Sequence, residues 1–228
     1  MIIKEERIGD QRLILGDCLA VMPLLDTFDA VVTDPPYGMG DLWRGGGGLD
    51  KKSSWKFNPK EAMQWDMNAP SFVPDIVQGR KAIIWGGHFF DLPKSRAWLV
   101  WDKGLGNFTT GHSELAWTNL RQPIRNLRLC PNVMTPTGKD GPKVHPTQKP
   151  VEVILWCLGF LPDAQTILDP FMGSGTTLVA CHKLGRAGTG IELDPDYFDI
   201  ACKRVDEATR QADLFVEPAP KPTQEVLL

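Results

Sequence analysis

Apolar residues fall in short runs along the first part of the chain. Arg12 to Leu15 and Ala30 to Thr33 are rich in Leu, Ile and Val and are bounded by turn residues, the pattern of buried strands. Between them, Asp17 to Leu25 carries apolar residues at helical spacing, so the opening predicts one β-α-β unit. After Tyr37 the pattern collapses. Gly45, Gly46, Gly47 and Gly48 stand in a row among lysines, and residues 38–60 are expected to form a mobile loop. Apolar segments return at Lys81 to Trp85, Trp98 to Trp101 and Glu114 to Thr118, the last two reading as strands rich in Trp and Val. From Arg121 to Pro146, prolines and basic residues interrupt any long element, and this stretch is expected to be loop-like and exposed.

The last third is more regular. Val151 to Phe160 predicts a helix after Pro150, and Thr166 to Leu168 a short strand ending at Asp169. A glycine turn leads into a helix from about Gly175 to Leu184, closed by Gly185. Gly188 to Leu193 is the next strand. Asp194 can cap a final helix with Pro195 in its first turn and Tyr197, Ile200, Ala201, Val205 and Ala208 on one face. Strands alternating with helices predict an α/β fold with a doubly wound, mostly parallel sheet. Residues 1–211 are expected to form one domain and residues 212–228, with Pro218, Pro220 and Pro222, a disordered tail. There are no internal repeats.

Length and composition narrow this picture. A chain of 228 residues suits one domain with a full core, and 42% hydrophobic with 23% charged residues is the balance of a soluble globular protein. No apolar run approaches the roughly 20 residues of a membrane span, and the N-terminus lacks signal-peptide features, so a membrane role is excluded and the cytoplasm is the expected location. Five scattered cysteines without paired spacing predict reduced thiols and no metal site. The net charge of −3 argues against a nucleic-acid partner only until its distribution is considered. From Asn119 to Lys149 there are six basic residues against Asp140 alone, and from Trp43 to Lys60 five against Asp50. Arg44, Lys51, Lys52, Arg121, Arg125, Arg128, Lys139 and Lys143 are therefore candidate DNA contacts.

Three segments carry candidate chemistry. Asp34, Pro35, Pro36 and Tyr37 follow a predicted strand, where ligands of open α/β sheets bind. Two prolines remove two amide donors and leave carbonyl oxygens free to accept. The Asp34 carboxylate and the Pro35 carbonyl could accept both protons of an exocyclic amine, while Tyr37 stacks on its ring. A proline-terminated strand whose Asp caps a turn would show the same four residues. Asp169, Pro170, Phe171, Met172, Gly173, Ser174, Gly175 and Thr176 also follow a strand and open a helix, a setting for close backbone approach to a ligand. Glu192 ends the next strand, from which an acidic side chain reaches ribose hydroxyls, and the absence of GxGxxG and GxxxxGK[ST] favours a nucleoside without pyrophosphate. Third, in His145, Pro146, Thr147, Gln148, Lys149 and Pro150, Lys149 is a point charge suited to a ligand carboxylate and Thr147 adds a hydroxyl, although a basic loop ahead of a helix is the alternative.

Taken together and in this order, the three segments resemble the β group of DNA amino-methyltransferases, from Gly16 to about Arg204. The resemblance implies the Rossmann-like fold of S-adenosylmethionine-dependent methyltransferases with circularly permuted motif order. It also implies that Asp34, Pro35, Pro36 and Tyr37 hold a flipped base. S-adenosylmethionine would be lined by Asp169, Phe171, Gly173, Ser174, Gly175 and Thr176. Thr147 and Lys149 would meet its carboxylate, Glu192 and Leu193 its ribose end, and Asp17 and Cys18 its adenine. Trp65 and Asp66, and Trp101 and Asp102, match further family positions. The implied partners are double-stranded DNA and a second copy of the chain in a homodimer. Within the family DPPY goes mostly with adenine N6 and SPPY with cytosine N4, which favours adenine and leaves cytosine as the alternative. The segment at about 119–144, where the family reads its target, is short here. Methylation of RNA or of a protein glutamine, and a catalytically silent cofactor- and DNA-binding regulator, are competing readings that an intact DPPY and HPTQKP disfavour.

Overall fold

A computed structural model of the chain describes residues 1–39, 66–104, 112–130 and 148–210. Nine strands form one sheet in the order β1-β2-β9-β8-β3-β4-β6-β5-β7. They are β1 (Ile2–Ile8), β2 (Gln11–Gly16), β3 (Ala30–Thr33), β4 (Lys81–Trp85), β5 (Trp98–Asp102), β6 (Ser113–Thr118), β7 (Arg125–Arg128), β8 (Thr166–Asp169) and β9 (Ala187–Glu192). The described helices are α1 (Cys18–Val21), α2 (Val73–Ile76), α3 (Val151–Leu158), α4 (Thr176–Lys183) and α5 (Pro195–Arg210). Strands β2, β9, β8, β3 and β4 run parallel as the centre of the sheet, whereas β6 is antiparallel to both β4 and β5. The doubly wound, mostly parallel sheet expected from the sequence is present.

The central strands are apolar throughout because both faces are covered. Leu13, Leu15, Ala30, Val32, Ile83 and Trp85 face the core built with α3, α4 and α5, where Ile154, Leu158, Leu178, Phe198, Ala201 and Val205 are buried. The alternate residues Ile14, Val31, Ala82 and Ile84 face a second core with Val21, Val73 and Ile76. Chain direction sets where a site can form. From β8 the chain passes through α4 to β9 on one side, and from β3 it passes to β4 on the other, so the order reverses between β8 and β3. At such a switch point the loops after adjacent strands diverge and leave a crevice.

The N-terminal residues, given no element by the sequence, form the edge strand β1, paired antiparallel with β2 across a turn in which Gly9 has φ +57°. Three expectations are corrected. The helix expected from Asp17 to Leu25 is a single turn followed by a 3-10 turn at Met22–Leu24, since Pro23 lacks the amide that would continue it. Within the basic stretch expected to be loop-like, Arg125–Arg128 is strand β7, paired parallel with β5. An edge strand needs backbone pairing on one side only and tolerates exposed arginines. On α5 the buried stripe is Phe198, Ala201 and Val205, while Tyr197 and Ile200 are half-buried. The capping residues behave as expected: Asp194 Oδ1 accepts from the Asp196 and Tyr197 amides at 2.8 and 3.2 Å, and Gly185 ends α4 at φ +64°. No described helix is long and apolar enough to cross a membrane.

Gly190 on β9 is demanded by packing. A Cβ there would lie 2.5 Å from Met172 Sδ and 2.8 Å from Leu178 Cδ1, both in the core. Gly190→Ala is therefore expected to destabilise the protein by about 1–3 kcal/mol through overpacking. Urea unfolding measures this, and an unchanged midpoint would contradict the close approach.

Candidate active site

Four of the expected site segments lie at the carboxyl ends of the parallel strands. Asp17 and Cys18 follow β2, Glu192 ends β9, the glycine loop follows β8, and Asp34 follows β3. Register brings them side by side, with Leu15 opposite Glu192, Asp169 opposite Gly190 and Val31 opposite Leu168. Across the switch point the Thr33 hydroxyl donates to Asp169 Oδ1 at 2.6 Å, joining the two motif-bearing strand ends. The Phe171 amide donates to the same oxygen at 3.2 Å. Burial pushes the Asp169 carboxyl up to about 6 against the hydrogen bonds of Thr177 and Thr33.

The glycine loop is held from two directions. Gly173 and Gly175 have φ of +50° and +80°, a region that L side chains rarely adopt. A Cβ on Gly175 would lie 3.1 Å from Ala201 Cβ, so α5 packs directly on the loop. Arg204 of α5 donates from Nη1 to the Ser174 hydroxyl at 2.8 Å and to Thr176 Oγ1 at 3.2 Å. The hydroxyls expected to line a cofactor thus face α5. From the other side, Glu192 Oε2 accepts the Gly173 amide, and its Oε1 accepts the Leu193 and Asp194 amides, each at 2.9 Å. Asp17 caps α1 by accepting the Leu19 amide at 2.9 Å, and Cys18 is buried in the second core with its thiol pushed up to about 11 by burial. Leu19 and Leu193 remain exposed at 50% and 68%, leaving apolar surface beside Glu192.

Around Asp34 the side chains form a charged and aromatic cluster. Tyr37 donates its hydroxyl to Asp34 Oδ1, and Lys149 donates from Nζ to Asp34 Oδ2. Lys149 also lies 3.2 Å from Glu114 Oε2, and Lys103 lies 2.7 Å from Glu114 Oε1. The Lys149 ammonium sits 4.9 Å from the centre of the Trp85 ring, a cation–π contact. Burial raises the Asp34 carboxyl above its ordinary value although Lys149 opposes it. For Glu114 burial also pushes upward, but Lys149 and Lys103 prevail and bring it to about 2. Lys149, expected at a cofactor carboxylate, is thus held between two carboxylates of the protein. The Tyr37 ring, expected to stack on a base, is stacked on Phe89 at 5.0 Å between centroids. Gly86 has no room for a side chain against the same ring, since a Cβ there would lie 2.1 Å from Tyr37 Cε1.

Several site residues escaped the sequence reading or were noted without a role. Asp66, matched to the family without an assigned role, accepts the Tyr37 amide and, at 3.0 Å, the Gly38 amide, fixing the turn after the prolines. Asp102 accepts the Gly104 amide at 2.8 Å and so shapes the turn that presents Lys103, and Trp101 Nε1 donates to the Leu129 carbonyl at 2.8 Å. Glu114, Lys103, Phe89 and Arg204 had no assignment. Of these only Arg204, beside Val205 on the buried stripe of α5, left a local signal as a charge next to a core position. Among the candidate DNA contacts, the structure separates the described arginines. Arg128 lies at the catalytic end of β7 with Nε 3.7 Å from Asp102 Oδ2, whereas Arg121 lines a cavity with Gly79, Arg80 and Lys81 at the opposite end of the sheet. Trp65, Thr147, Arg44, Lys51, Lys52, Lys139 and Lys143 lie outside the described residues, as do most of 38–60 and 119–144 and all of 212–228. No cluster that could hold a metal ion occurs among the described residues.

This arrangement of sheet and crevice is that of the Rossmann-like methyltransferases. The structure is similar to the cytosine-N4-specific PvuII DNA methyltransferase, with TM-score 0.56, 12% identity and coverage of 92% of this chain and 94% of that one. It is also similar to M1.HpyAVI solved in complex with SAM, with TM-score 0.52, 20% identity and coverage of 86% and 99%. The model of the N6/N4 methyltransferase family, described as DNA methylase, matches residues 84–203, more than half of the chain. The chain belongs to this family of DNA amino-methyltransferases. Among curated proteins it is 27% identical to the Type II methyltransferase M.ScaI of Streptomyces caespitosus, over 87% of this chain and 82% of that protein. It is 26% identical to the Type II methyltransferase M.HpaI of Haemophilus parainfluenzae, over 86% and 74%.

The buried Asp169 gives this site a pH signature. Its folded value of about 6 exceeds the ordinary 3.8, so its contribution to stability is fully present below about pH 3.8 and is lost as pH rises through about 6. Asp169→Asn, which has no such ionisation, should gain stability relative to the parent between about pH 4 and about pH 7. Thermal unfolding across that range measures the difference, and a difference independent of pH would refute the assignment.

Proposed function

We propose that this chain transfers a methyl group from S-adenosylmethionine to the exocyclic N6 of adenine in double-stranded DNA. The observation that carries this reading is the adjacency of two strand ends: Asp34 after β3 and the glycine loop after β8, joined by the Thr33–Asp169 hydrogen bond. The residues present fit the cofactor. Glu192 keeps a lone pair on Oε2 beyond the one given to Gly173, and Leu19 and Leu193 offer apolar surface for a purine. Bound there, S-adenosylmethionine would supply an electrophilic methyl carbon and depart as the neutral thioether, keeping the electron pair of the broken carbon–sulfur bond.

The chain's own residues do the rest. A base in a duplex must leave the stack, at a cost of a few kcal/mol, and the aromatic wall of Tyr37 and Phe89 offers stacking in return. The Asp34 carboxylate and the Pro35 carbonyl accept the amine protons and orient its lone pair. An aryl amine is far too weak an acid to be deprotonated by a carboxylate of ordinary pKa about 4, so Asp34 acts by orientation and by stabilising the charge that develops on nitrogen. Adenine rather than cytosine is favoured by the aspartate in DPPY, within the family pattern. Arg128, exposed at the catalytic edge, is placed to meet a phosphate, and the short recognition segment favours a homodimer that shares the reading of DNA.

Asp34→Asn keeps the shape of the side chain and removes its charge. Turnover should fall by about 10² to 10³, while the affinity for S-adenosylmethionine measured by calorimetry changes little. Labelled methyl transfer into duplex DNA, followed by hydrolysis and chromatography of the nucleosides, reads both rate and product. Near-normal turnover in the variant would remove Asp34 from the mechanism. N4-methylcytosine as the product would replace adenine by cytosine.

A further inference from the structure

Asp34 does not meet Lys149 alone: Lys149 is shared with Glu114, and Glu114 is shared with Lys103. The four groups come from β3, β6, the turn after β5 and the residue before Pro150, and they form an alternating row of two cations and two anions. Both lysine side chains are nearly buried, at 5% and 8% exposure, whereas Asp34 and Glu114 keep 26% and 29% exposed. A buried ion pair is weak evidence for stability, because apolar residues of similar volume often serve as well. Glu114 and Lys103, which the proposed methyl transfer does not use, therefore call for a role through Asp34.

We infer that Glu114, pinned by Lys103, is a positioning residue that holds Lys149 beside Asp34 and takes over its charge when Asp34 accepts the proton that the methylated nitrogen must lose. This rests on the proposed methyl transfer. Once the nitrogen lone pair has formed the bond to carbon, the nitrogen is cationic and carries two N–H bonds. One proton passes to an Asp34 oxygen, the N–H electron pair stays on nitrogen, and the product amine is neutral. Asp34 then releases the proton through its exposed side. While Asp34 is neutral, Lys149 still has a counter-ion in Glu114, which stays ionised because two ammonium groups flank it. Among the described residues, the other titratable groups facing the row are Tyr37 on Asp34, Asp169 on the neighbouring strand end, Asp66 beyond Tyr37 and Cys157 of α3 beneath Lys149.

Two variants move Asp34 in opposite directions. In Glu114→Gln an anion is lost and Lys149 turns wholly to Asp34, so the Asp34 midpoint should move down by about one pH unit. There kcat should fall by about tenfold or more, with KM for DNA and for the methyl donor within about twofold. In Lys103→Met, Glu114 draws Lys149 away and the Asp34 midpoint should move up. Carboxyl ¹³C NMR titration of the full chain reads both midpoints without turnover, and steady-state kinetics reads the acid limb of kcat. Opposite shifts with a lowered kcat in Glu114→Gln support the inference. An unmoved Asp34 midpoint in either folded variant, or an unchanged kcat in Glu114→Gln, overturns it. Should Glu114→Gln fail to fold, Lys103→Met decides by the direction of its shift. If the parent methylates no DNA, the proposed function fails, and the titration still decides whether Glu114 and Lys103 govern Asp34.

Discussion

The hydrogen bond from Thr33 to Asp169 spans the point at which the chain changes direction across the sheet, and the geometry of the site depends on it. Strands β3 and β8 are neighbours in space although far apart in sequence, and at each carboxyl end stands an aspartate followed by proline, Asp34 just after β3 and Asp169 at the end of β8. Because connections leave this pair toward opposite edges, a crevice opens at the strand ends. One crevice therefore receives both the segment that can hold an amine and the segment that can hold a nucleoside. Had the two strands been separated by another, the carboxylate and the glycine loop would stand about 10 Å apart, two strand spacings, beyond the reach of a direct transfer.

Three described segments around this crevice are held by charged side chains of the chain itself. Asp66 holds the backbone after the prolines, Glu192 holds Gly173, and Arg204 holds Ser174. Each uses a charged group to accept or donate to backbone or hydroxyl partners, the stronger kind of hydrogen bond. The Glu192 carboxylate serves the loop and retains acceptor capacity, so holding the loop and holding a ribose are compatible tasks for one side chain. Preorganisation of this kind lowers the cost of ordering when a ligand binds.

Much of this was legible because motif residues follow apolar runs. A buried parallel strand announces itself by continuous Val, Ile and Leu, and the residues just after Thr33, Leu168 and Ile191 are then placed at the crevice by topology alone. Edge strands give no such signal. β1 and β7 bury little, so Lys4 and Glu6 carried no strand signal and Arg125 and Arg128 read as loop, although backbone pairing makes all four strand residues. The ionic row was invisible for a different reason. Glu114 lies in an apolar strand pattern as an ordinary exception, Lys103 follows a strand as an ordinary turn residue, and only the antiparallel pairing of β5 with β6 brings them to one place. Lys149 was legible as a functional charge but not as the partner of Asp34, since the sequence separation between them carries no geometric information.

Three carboxylates in this crevice meet different electrostatic fates, and the difference comes from neighbours rather than from residue type. Asp169 has hydroxyl and amide donors but no cation, so burial prevails and its acid form is favoured. Glu114 has two ammonium groups, which outweigh burial and keep it ionised. Asp34 has one lysine, which it shares with Glu114, and one phenol, and burial raises its carboxyl above the ordinary value. Burial thus prevails at Asp34 and at Asp169, which titrates near 6, whereas the two ammonium groups prevail at Glu114. Of the three, Asp34 is the one bonded both to Lys149 and to the Tyr37 hydroxyl of its own DPPY segment.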